Sequence, residues 1–518
     1  MLGVAVGLLL VVSVLGPAVG GLAALRDRRG TGLIAVRATA AAGAAGVLVA
    51  IASGFDHAGS WSSGGRLLVD VDRIGALLLV FVLLATLVAQ AYAVRSLRGD
   101  PARATFFAAS GCAATATTAV VLAADLWVLV LAWVGVSLAT AALLRHDGRP
   151  SSSAAARRAA TSFLVGDLAL LVAAVVAAAT LGPVTLRPEQ MSAVAGSGTQ
   201  VLGVVGLTAV LAMAAVIAAI TRCALPPAHM WLPMSVAAPT PSSAVLHAGI
   251  VNGGGIVLIR FAPVLGKSSV ATGIALAGGC VGVLVGSAVS RTRADVKTTL
   301  AWSTVSQMGF MIVQCVTGLL GPAVIHMVAH GMYKANLFLG SGSGLAQVHR
   351  RSRPERRSIG GVILRTLVVI AISAAAVGFA LLVVRPNWFE GVAGLVLLGF
   401  VAAAVAQAVS AWMTTRQERS VLDLFAFAGL VLATTASIGV AALLKYWLAT
   451  SLPEVDPTLE AVGAVALALT AVAGWMVSVM SRPAIPGRRV ADRAYLWAAH
   501  IGDPARVARA NTSSEVRR

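Results

Sequence analysis

Long apolar runs recur along almost the whole chain, and they limit its possible folds more than any other feature. A helix needs about 20 apolar residues to cross the hydrocarbon of a bilayer, and fifteen runs approach that length. Hydrophobic residues make up 58% of the chain and charged residues 11%, which is typical of a polytopic membrane protein and not of a soluble domain. We therefore predict an all-α polytopic membrane protein with about fifteen transmembrane helices. The runs lie near residues 1–25, 31–53, 74–94, 104–123, 126–144, 159–181, 200–221, 240–263, 268–290, 298–317, 321–345, 361–384, 391–413, 420–444 and 460–481.

Arginine is distributed unevenly among the loops that connect these runs. Loops after odd-numbered runs are rich in arginine, whereas loops after even-numbered runs hold few or balance them with aspartate. Basic loops stay in the cytoplasm, so we predict that the N-terminus lies outside and the C-terminus inside the cell. The same placement accounts for the net charge of +19. It predicts contact with membrane lipid and no nucleic-acid partner.

The C-terminal section, residues 482–518, is polar and strongly basic. Its segment from Val490 to Ile501 places Tyr495 and Trp497 beside arginines. This pattern predicts either an amphipathic helix on the cytoplasmic leaflet or a strip that docks a partner, and the residues do not choose between the two.

The stretch from Arg222 to Arg260 places polar residues and prolines in the middle of this apolar chain. In lipid, a helix is broken only where protein or water covers the freed backbone groups, and a charge at membrane depth costs a few kcal/mol or more. The stretch therefore predicts a broken helix beside an ion path. The alternative is a kinked helix whose arginine reaches the headgroup layer. Its polar and helix-breaking residues are Arg222, Pro226, Pro227, His229, Pro233, Pro239, Pro241 and His247.

A second polar helix carries His326, His330 and Lys334 at spacings of four residues. This spacing places all three side chains along one helix face. Imidazoles titrate near neutral pH, so such a row could pass protons through short hops and bridging waters. Metal binding by the histidine pair is an alternative without a third ligand nearby in the sequence, and a polar seam packed for structural reasons is another.

Asp167 and Lys297 are the other charged residues that we assign to the predicted ion path. Asp167 lies inside an apolar run, where an unpaired carboxylate would be protonated, so we expect Arg222 as its cationic partner. Arginine does not release its proton, and Arg222 is therefore expected to act through its charge or by moving. Lys297 follows Asp295 at the start of a run, which predicts a water-filled inlet or a capped helix start.

The chain lacks the motifs of a catalytic domain. It has no glycine-rich phosphate loop, no nucleophile elbow and no metal-ligand spacing, and its four cysteines show no CxxC pattern that would indicate a disulfide framework or a structural zinc. The run Gly253-Gly254-Gly255 predicts close helix packing or a flexible point in a membrane helix. We therefore predict an ion-conducting transporter subunit with no catalytic residue, metal or cofactor of its own.

Three segments carry a resemblance to a known family. They read HMWLPMSVAAPTPSSAVLHA from His229, DVKTTLAWSTVSQMGF from Asp295 and HMVAHGMYKA from His326. These segments resemble the proton-conducting antiporter-like subunits, which include the large membrane subunits of respiratory complex I and of multi-subunit cation/proton antiporters. The resemblance covers roughly residues 70–420.

This resemblance implies two inverted five-helix repeats whose half-channels meet at the middle of the membrane. By the family's motifs, His247, His326, His330 and Lys334 are retained. The implied sections are residues 1–103 with the first three helices, 104–263 with the first repeat, 268–413 with the second repeat, 420–481 with the C-terminal helices, and 482–518 as a basic cytoplasmic tail.

Within the family, the segments from His247 to Gly255 and from Ala301 to Met311 are similar to one branch, the membrane subunit of the DAB-type inorganic-carbon transporter. The resemblance implies a location in a prokaryotic cell (inner) membrane and a large, zinc-containing, carbonic-anhydrase-like cytoplasmic partner. Flow of H⁺ or Na⁺ through this chain would then energise hydration of CO₂ to bicarbonate by that partner.

The chain departs from the family pattern at three points. Val134 lies where the family has a carboxylate, Arg222 lies where it has a lysine, and the charged residue of its broken twelfth helix has only weak counterparts in Arg385 and Glu390. These departures favour a channel coupled to a partner. They leave open a proton-translocating subunit of a complex I-like or cation/proton antiporter complex, and an ion-inactive membrane anchor.

Overall fold

The structure is a computed structural model, and the part of the chain that it describes is almost entirely helical. It describes residues 2–27, 32–52, 60–63, 66–201, 203, 205–341, 359–384, 402, 405, 409, 421–448 and 451–453. The helices and strands, in chain order, are α1 (Leu2–Ala24), α2 (Leu33–Ala52), β1 (Trp61–Ser63), β2 (Arg66–Val69), α3 (Arg73–Ser96), α4 (Arg103–Leu122), α5 (Leu126–Arg145), α6 (Pro150–Leu181), α7 (Pro188–Gly196), β3 (Gln200–Val201), β4 (Val205–Gly206), α8 (Leu207–Arg222), α9 (Trp231–Met234), α10 (Thr240–Ala248), α11 (Gly253–Arg260), α12 (Ala262–Leu265), α13 (Ser269–Ser290), α14 (Val296–Val316), α15 (Leu320–Gly340), α16 (Ile359–Val384) and α17 (Val421–Leu448).

Within these residues, nine helices are long and apolar enough to cross a membrane. The prediction of an all-α polytopic membrane protein is therefore confirmed. Helices also lie at the other predicted runs within the described residues, as shorter or more polar elements. Most of the run at 391–413, the whole run at 460–481, the tail 482–518, Arg385 and Glu390 lie outside the described residues. The count of fifteen helices and the two inverted repeats stay predictions.

The start of the seventh run differs from the prediction. The apolar run at 200–221 predicts one helix, but residues 200–206 form the antiparallel β3–β4 hairpin and α8 begins only at Leu207. Gly203 has φ 68°, a left-handed conformation that glycine adopts without strain, so the chain turns back here. No clear hairpin pattern is visible in the sequence because β3 and β4 have only two residues each.

Ion pairs join helix ends at one face of the bundle. Arg260 at the end of α11 forms an ion pair of 2.6 Å (Nη1 to Oδ2) with Asp72, which also caps α3 by accepting from the Gly75 N–H. Arg187 pairs with Asp70 at 3.0 Å, and this hydrogen bond raises the pKa of the Arg187 guanidinium above its usual value. These pairs hold the loop between α2 and α3 and the loop between α6 and α7 at the end of the bundle where α11 ends.

The opposite face is joined by a pair between the loop after α3 and the loop after α5. His146 Nε2 lies 3.0 Å from Asp100 Oδ2. Burial alone would raise the pKa of the Asp100 carboxyl, but the hydrogen bonds to His146 and to the Ala102 N–H outweigh it and lower that pKa. The loops after odd-numbered runs thus meet at one face of the bundle and the loops after even-numbered runs at the opposite face, as alternating transmembrane helices require.

Candidate functional site

Arg222, at the last turn of α8, is one of the two most deeply buried cations in the described residues, together with Lys334. Its side chain is 1% exposed. Nη2 donates to Ser137 Oγ at 2.9 Å, to the Trp133 carbonyl at 3.1 Å and to Asp167 Oδ1 at 3.5 Å. The predicted pairing of Arg222 with Asp167 is therefore confirmed. We call Trp133, Ser137, Phe163, Asp167 and Arg222 the arginine site.

A close approach of α6 to α8 brings the carboxylate to the arginine. A Cβ at Gly166 would overlap Thr221 Oγ1 and lie 3.0 Å from the Ala218 Cα, so only glycine allows this spacing. Asp167 follows it directly and accepts a hydrogen bond of 2.9 Å from Ser137 Oγ. The hydroxyl of Ser137 thus accepts from the arginine and donates to the carboxylate. Val134, the position of the missing family carboxylate, lies one turn before Ser137 on α5.

Two aromatic rings enclose the guanidinium of Arg222. Its Cζ lies 4.3 Å from the ring centroid of Trp133 and 4.4 Å from that of Phe163, which is the range of cation–π attraction. Nε and Nη1 are buried without a hydrogen-bond partner among the described residues. Because arginine stays protonated in proteins, this site can hold a positive charge and orient neighbours, but it cannot pass a proton through the guanidinium.

The eighth run is a broken helix, and its break lies after His247. α10 ends at Ala248, residues Ile250–Asn252 form a 3₁₀ turn, and α11 begins at Gly253. Asn252 Nδ2 donates to the Ala248 carbonyl at 2.9 Å and to the Met327 carbonyl of α15 at 3.2 Å. Protein groups therefore satisfy backbone that the break would otherwise leave unpaired in hydrocarbon.

The prolines lie elsewhere than at this break. Pro226 and Pro227 lie in the loop after α8, Pro233 lies in α9, and Pro239 and Pro241 lie at the start of α10. They interrupt the seventh helix after Arg222, as predicted, but the break beside His247 was missed. Gly249 is its signal in the sequence, because glycine is the weakest helix former after proline.

The histidines and the lysine of α15 share one face of that helix, as their spacing predicts. His330 and Lys334 are buried, and the ring centroids of His326 and His330 are 6.0 Å apart. His247 stacks on Phe338 of α15 with ring centroids 4.4 Å apart, and His330 lies within electrostatic range of His326, Lys334 and His247. The structure thus brings these four residues together. We call His247, His326, His330 and Lys334 the histidine–lysine row.

Neutral groups of α14 contact this row. Lys334 Nζ donates to Ser303 Oγ at 2.9 Å and to the Leu300 carbonyl at 3.3 Å. The ring nitrogens of His326 lie 2.8 Å from Gln314 Oε1 and 3.0 Å from Gln307 Oε1. Gln314 was missed by sequence reasoning. Its signal is its spacing of seven residues from Gln307, which places both amides on one face of α14.

Lys297 and His229 lie at the edge of this arrangement. Asp295 caps α14 by accepting from the Thr298 N–H at 2.7 Å, so the capped helix start is the alternative that the structure supports. Lys297 lies one turn before Leu300, whose carbonyl accepts from Lys334. The His229 ring lies 5.4 Å from the ring of Trp302 and is not part of the row.

The broken helix connects the arginine site with the histidine–lysine row. A Cβ at Gly253 would lie 3.3 Å from Trp133 and 3.6 Å from Arg222 Cγ, while His247 on the other side of the break contacts α15. Two cavities of about 10 Å³ each flank the break, and both are lined by Thr117 and Ile250. Each has about the volume that one water molecule needs.

No group of three or more His, Cys, Asp or Glu side chains that could hold a metal ion occurs in the described part of the chain.

The residues of the arginine site and of the histidine–lysine row lie in a part of the chain that matches a known protein family. Residues 123–383, half of the chain, match the family described as NADH:quinone oxidoreductase/Mrp antiporter, TM. The chain belongs to this family.

Individual relatives show which members of the family this chain is similar to. "Probable inorganic carbon transporter subunit DabB1" of Halothiobacillus neapolitanus is 31% identical over 368 residues, which cover 67% of this chain and 65% of the relative. "Probable inorganic carbon transporter subunit DabB" of Bacillus subtilis is 32% identical over 314 residues, 60% of this chain and 61% of the relative. "NADH-quinone oxidoreductase subunit L" of Mycobacterium tuberculosis is 30% identical over 58% of this chain and 48% of the relative. The matches span less than two thirds of these relatives.

A solved structure supports the same fold. A chain of the Mrp complex from Dietzia sp. DQ12-45-1b superposes with a TM-score of 0.61 and 25% identity, over 97% of this chain and 60% of that chain. The resemblance stated from the sequence motifs is thus confirmed. The chain is an antiporter-like, multi-pass membrane subunit.

Proposed function

We propose that this chain is the membrane subunit of an inorganic-carbon accumulating complex and conducts H⁺ or Na⁺. The ion flow energises hydration of CO₂ to bicarbonate by a large, zinc-containing, carbonic-anhydrase-like subunit on the cytoplasmic side. The chain lies in the prokaryotic cell (inner) membrane with its N-terminus outside. The inorganic-carbon assignment is supported by the relatives whose names contain that activity.

The observation that carries the conduction part is the histidine–lysine row. Protonatable side chains are expensive inside a membrane, and this row keeps both His330 and Lys334 buried. Lys334 donates to a hydroxyl and a carbonyl group, whereas both ring nitrogens of His330 have no hydrogen-bond partner among the described residues. The ring centroids of His326 and His330 are 6.0 Å apart, a distance over which two imidazoles can exchange a proton through one bridging water. The row therefore supplies sites that bind and release H⁺ in succession along α15, with His247 as the connection to the broken helix.

The arginine site has an electrostatic role in this proposal. Its charge is paired with Asp167 and faces the broken helix at Gly253, so any movement of the pair changes the potential at the two small cavities beside the break. Asp167 and Arg222 thus set the energy of a cation that passes the break. Lys297, one turn from the acceptor of Lys334, contributes a positive charge at one end of the row.

Growth in air tests the proposal. A bacterial host without carbonic anhydrase, which needs added CO₂, is given this chain together with the large subunit encoded next to it. Rescue is expected with the wild type and with Lys267→Met, an exposed lysine outside both clusters, and is expected to fail with His330→Ala or Lys334→Ala at equal membrane abundance. Equal rescue by all of these variants would exclude conduction through the row, and failure of the wild type would exclude the carbon substrate.

The second candidate function is a proton-translocating subunit of a complex I-like or cation/proton antiporter complex, favoured by the similarity to subunit L of Mycobacterium tuberculosis. It predicts co-purification with several small membrane subunits. An ion-inactive anchor predicts instead that the partner's activity does not change when a protonophore collapses the proton gradient.

A further inference from the structure

The imidazole of His326 is held between two glutamine side chains of α14. Its Nδ1 lies 2.8 Å from Gln314 Oε1, and its Nε2 lies 3.0 Å from Gln307 Oε1. Phe310, between the two glutamines in the sequence, places its ring centroid 5.4 Å from that of His326. Both ring nitrogens therefore have a carboxamide as their partner, and the aromatic ring limits movement of the imidazole.

The two protonation states of histidine need different partners. A neutral imidazole has one N–H donor and one bare nitrogen that accepts, whereas an imidazolium has two donors. Two amide oxygens facing the ring match the imidazolium, because each N–H then has an acceptor. When the ring is neutral, one of these oxygens faces the lone pair of a bare nitrogen, and that contact is repulsive.

A carboxamide can correct this mismatch without leaving its place. Turning the amide of Gln307 or Gln314 by about 180° exchanges its oxygen for its NH₂ group, and the terminal torsion of glutamine is broad and roughly two-fold. The NH₂ group then donates to the bare nitrogen. Both states of His326 keep two hydrogen bonds, provided that one amide turns for each proton gained or lost.

We propose that Gln307 and Gln314 are positioning residues that let His326 take up and release a proton in place, through the turn of one carboxamide per proton. As the carboxamide turns, it uncovers one ring nitrogen, which gives its proton to a water molecule or takes one from it, and the turned amide then bonds to that nitrogen. The proposal deepens the proposed function, on which its link to transport rests. It adds two residues to the path that the family motifs and the histidine spacing did not assign a role. It also makes the amide turn the conformational step at this end of the row.

The charged and titratable groups around His326 are consistent with such a device. On its own helix, His330 is the nearest, and Lys334 follows one turn later. The fourth member of the row, His247, lies on α10, and Lys297 lies at the start of α14. The other packed elements carry their ionisable residues near their ends: Arg73, Tyr92 and Arg95 on α3, Arg260 on α11, and Asp423, Lys445 and Tyr446 on α17. The neutral amides are thus the direct partners of the ring in the described structure.

A purely structural role for the amides makes a different prediction. A permanently neutral His326 would keep one oxygen and one NH₂ group against its ring, and loss of either amide would reduce only stability. Gln90 provides the matched control, because it is a buried amide held by Thr39 and Ser110 in another part of the bundle. Gln90→Met therefore measures what loss of a buried amide does by itself.

Nitrogen-15 solid-state NMR of the full chain in lipid, with labelled histidine, tests the proposal. The signals of His326 are assigned by their loss in His326→Asn. In Gln314→Met and in Gln307→Met one acceptor is lost, and we expect the ratio of imidazolium to neutral His326 at a given pH to fall about tenfold, because a hydrogen bond to a charged group is stronger than one to a neutral group. In Gln314→Glu a carboxylate can only accept, so the imidazolium is expected to persist to higher pH. Gln90→Met should leave the ratio unchanged.

Proton flux into vesicles that contain the complex gives the second readout. The pH profile of flux should move with the NMR ratio in Gln307→Met and Gln314→Met, and flux should fall about tenfold or more in Gln314→Glu. An imidazolium ratio and a pH profile equal to the wild type in both methionine variants would overturn the role of the amides. A shifted NMR ratio without any proton flux in the wild type would instead overturn the proposed function and leave the amide turn standing.

Discussion

The arginine site and the histidine–lysine row place positive charge inside the same helical bundle in different ways. Arg222 has a carboxylate, a hydroxyl and two aromatic rings around it. Lys334 has a hydroxyl and a backbone carbonyl, and no charged partner stabilises it among the described residues. The first site fixes a charge that cannot leave, whereas the second holds one that can be released as a proton.

This difference predicts that the two sites respond differently to mutation. Removing one partner from a buried ion pair leaves an uncompensated charge, which is strongly destabilising. A lysine with neutral acceptors can instead lose its proton and remain hydrogen-bonded as an amine. The arginine site is therefore expected to respond to mutation through folding and electrostatics, and the histidine–lysine row through transport.

The largest expected effect on transport is in Lys334→Met. This variant removes the ammonium and keeps an apolar side chain of similar length, so proton flux in vesicles should fall about 100-fold or more while the thermal unfolding of the protein changes little. A loss of about 2.7 kcal/mol in transition-state stabilisation corresponds to that factor. Lys267→Met is the control, and flux within twofold of the wild type in Lys334→Met would contradict the assignment of the row.

The largest expected effect on stability is in Asp167→Asn. The amide retains the shape of aspartate but leaves the buried guanidinium of Arg222 without its counter-charge, so we expect a loss of about 3–5 kcal/mol in the free energy of unfolding. Thermal unfolding in detergent measures it. The double variant Asp167→Asn with Arg222→Met should recover much of the loss, and purely additive effects would show that the two residues do not depend on one another.

The smallest effect concerns the Asp100–His146 pair, outside the membrane-spanning helices. The lowered pKa of Asp100 means that the pair adds stability above the carboxyl's usual value of 3.8, and that this stability is lost as the pH falls through the folded-state value. The pair is partly exposed, so its contribution is below about 1 kcal/mol. Unfolding curves of the wild type and Asp100→Asn should differ most above the carboxyl's usual value of 3.8, and the difference should shrink as the pH falls from there to 3. An equal difference across the whole range would exclude titration of this carboxyl as its source.

Sequence patterns predicted the charged core of both sites better than the connections around them. The face shared by His326, His330 and Lys334 follows from helical spacing alone. The Asp167–Arg222 pair followed from the cost of an unpaired charge in hydrocarbon, although nothing in the spacing shows which helices meet. Gly166 decides that contact, and its importance becomes visible only once α6 lies against α8.

Features that depend on partners distant in sequence were missed. The break after His247 depends on Asn252, which bonds to a carbonyl of α15, and apolar periodicity continues through it. The hairpin before α8 depends on turn glycines within an apolar run that reads as a helix. Gln314 resembles any polar residue on a packed helix until His326 is placed against it. The contacts that join Ser137, Asp167 and Arg222 require three helices in place.

The most direct test of the distinction between the two sites is a measurement of proton flux in vesicles with an imposed pH gradient. It compares His330→Leu and Arg222→Lys side by side. The account predicts that His330→Leu stops flux, because it removes the middle of the row, and that Arg222→Lys retains a measurable share of it, because the charge beside Asp167 remains. Unchanged flux in His330→Leu, together with complete loss in a folded Arg222→Lys protein, would contradict the account.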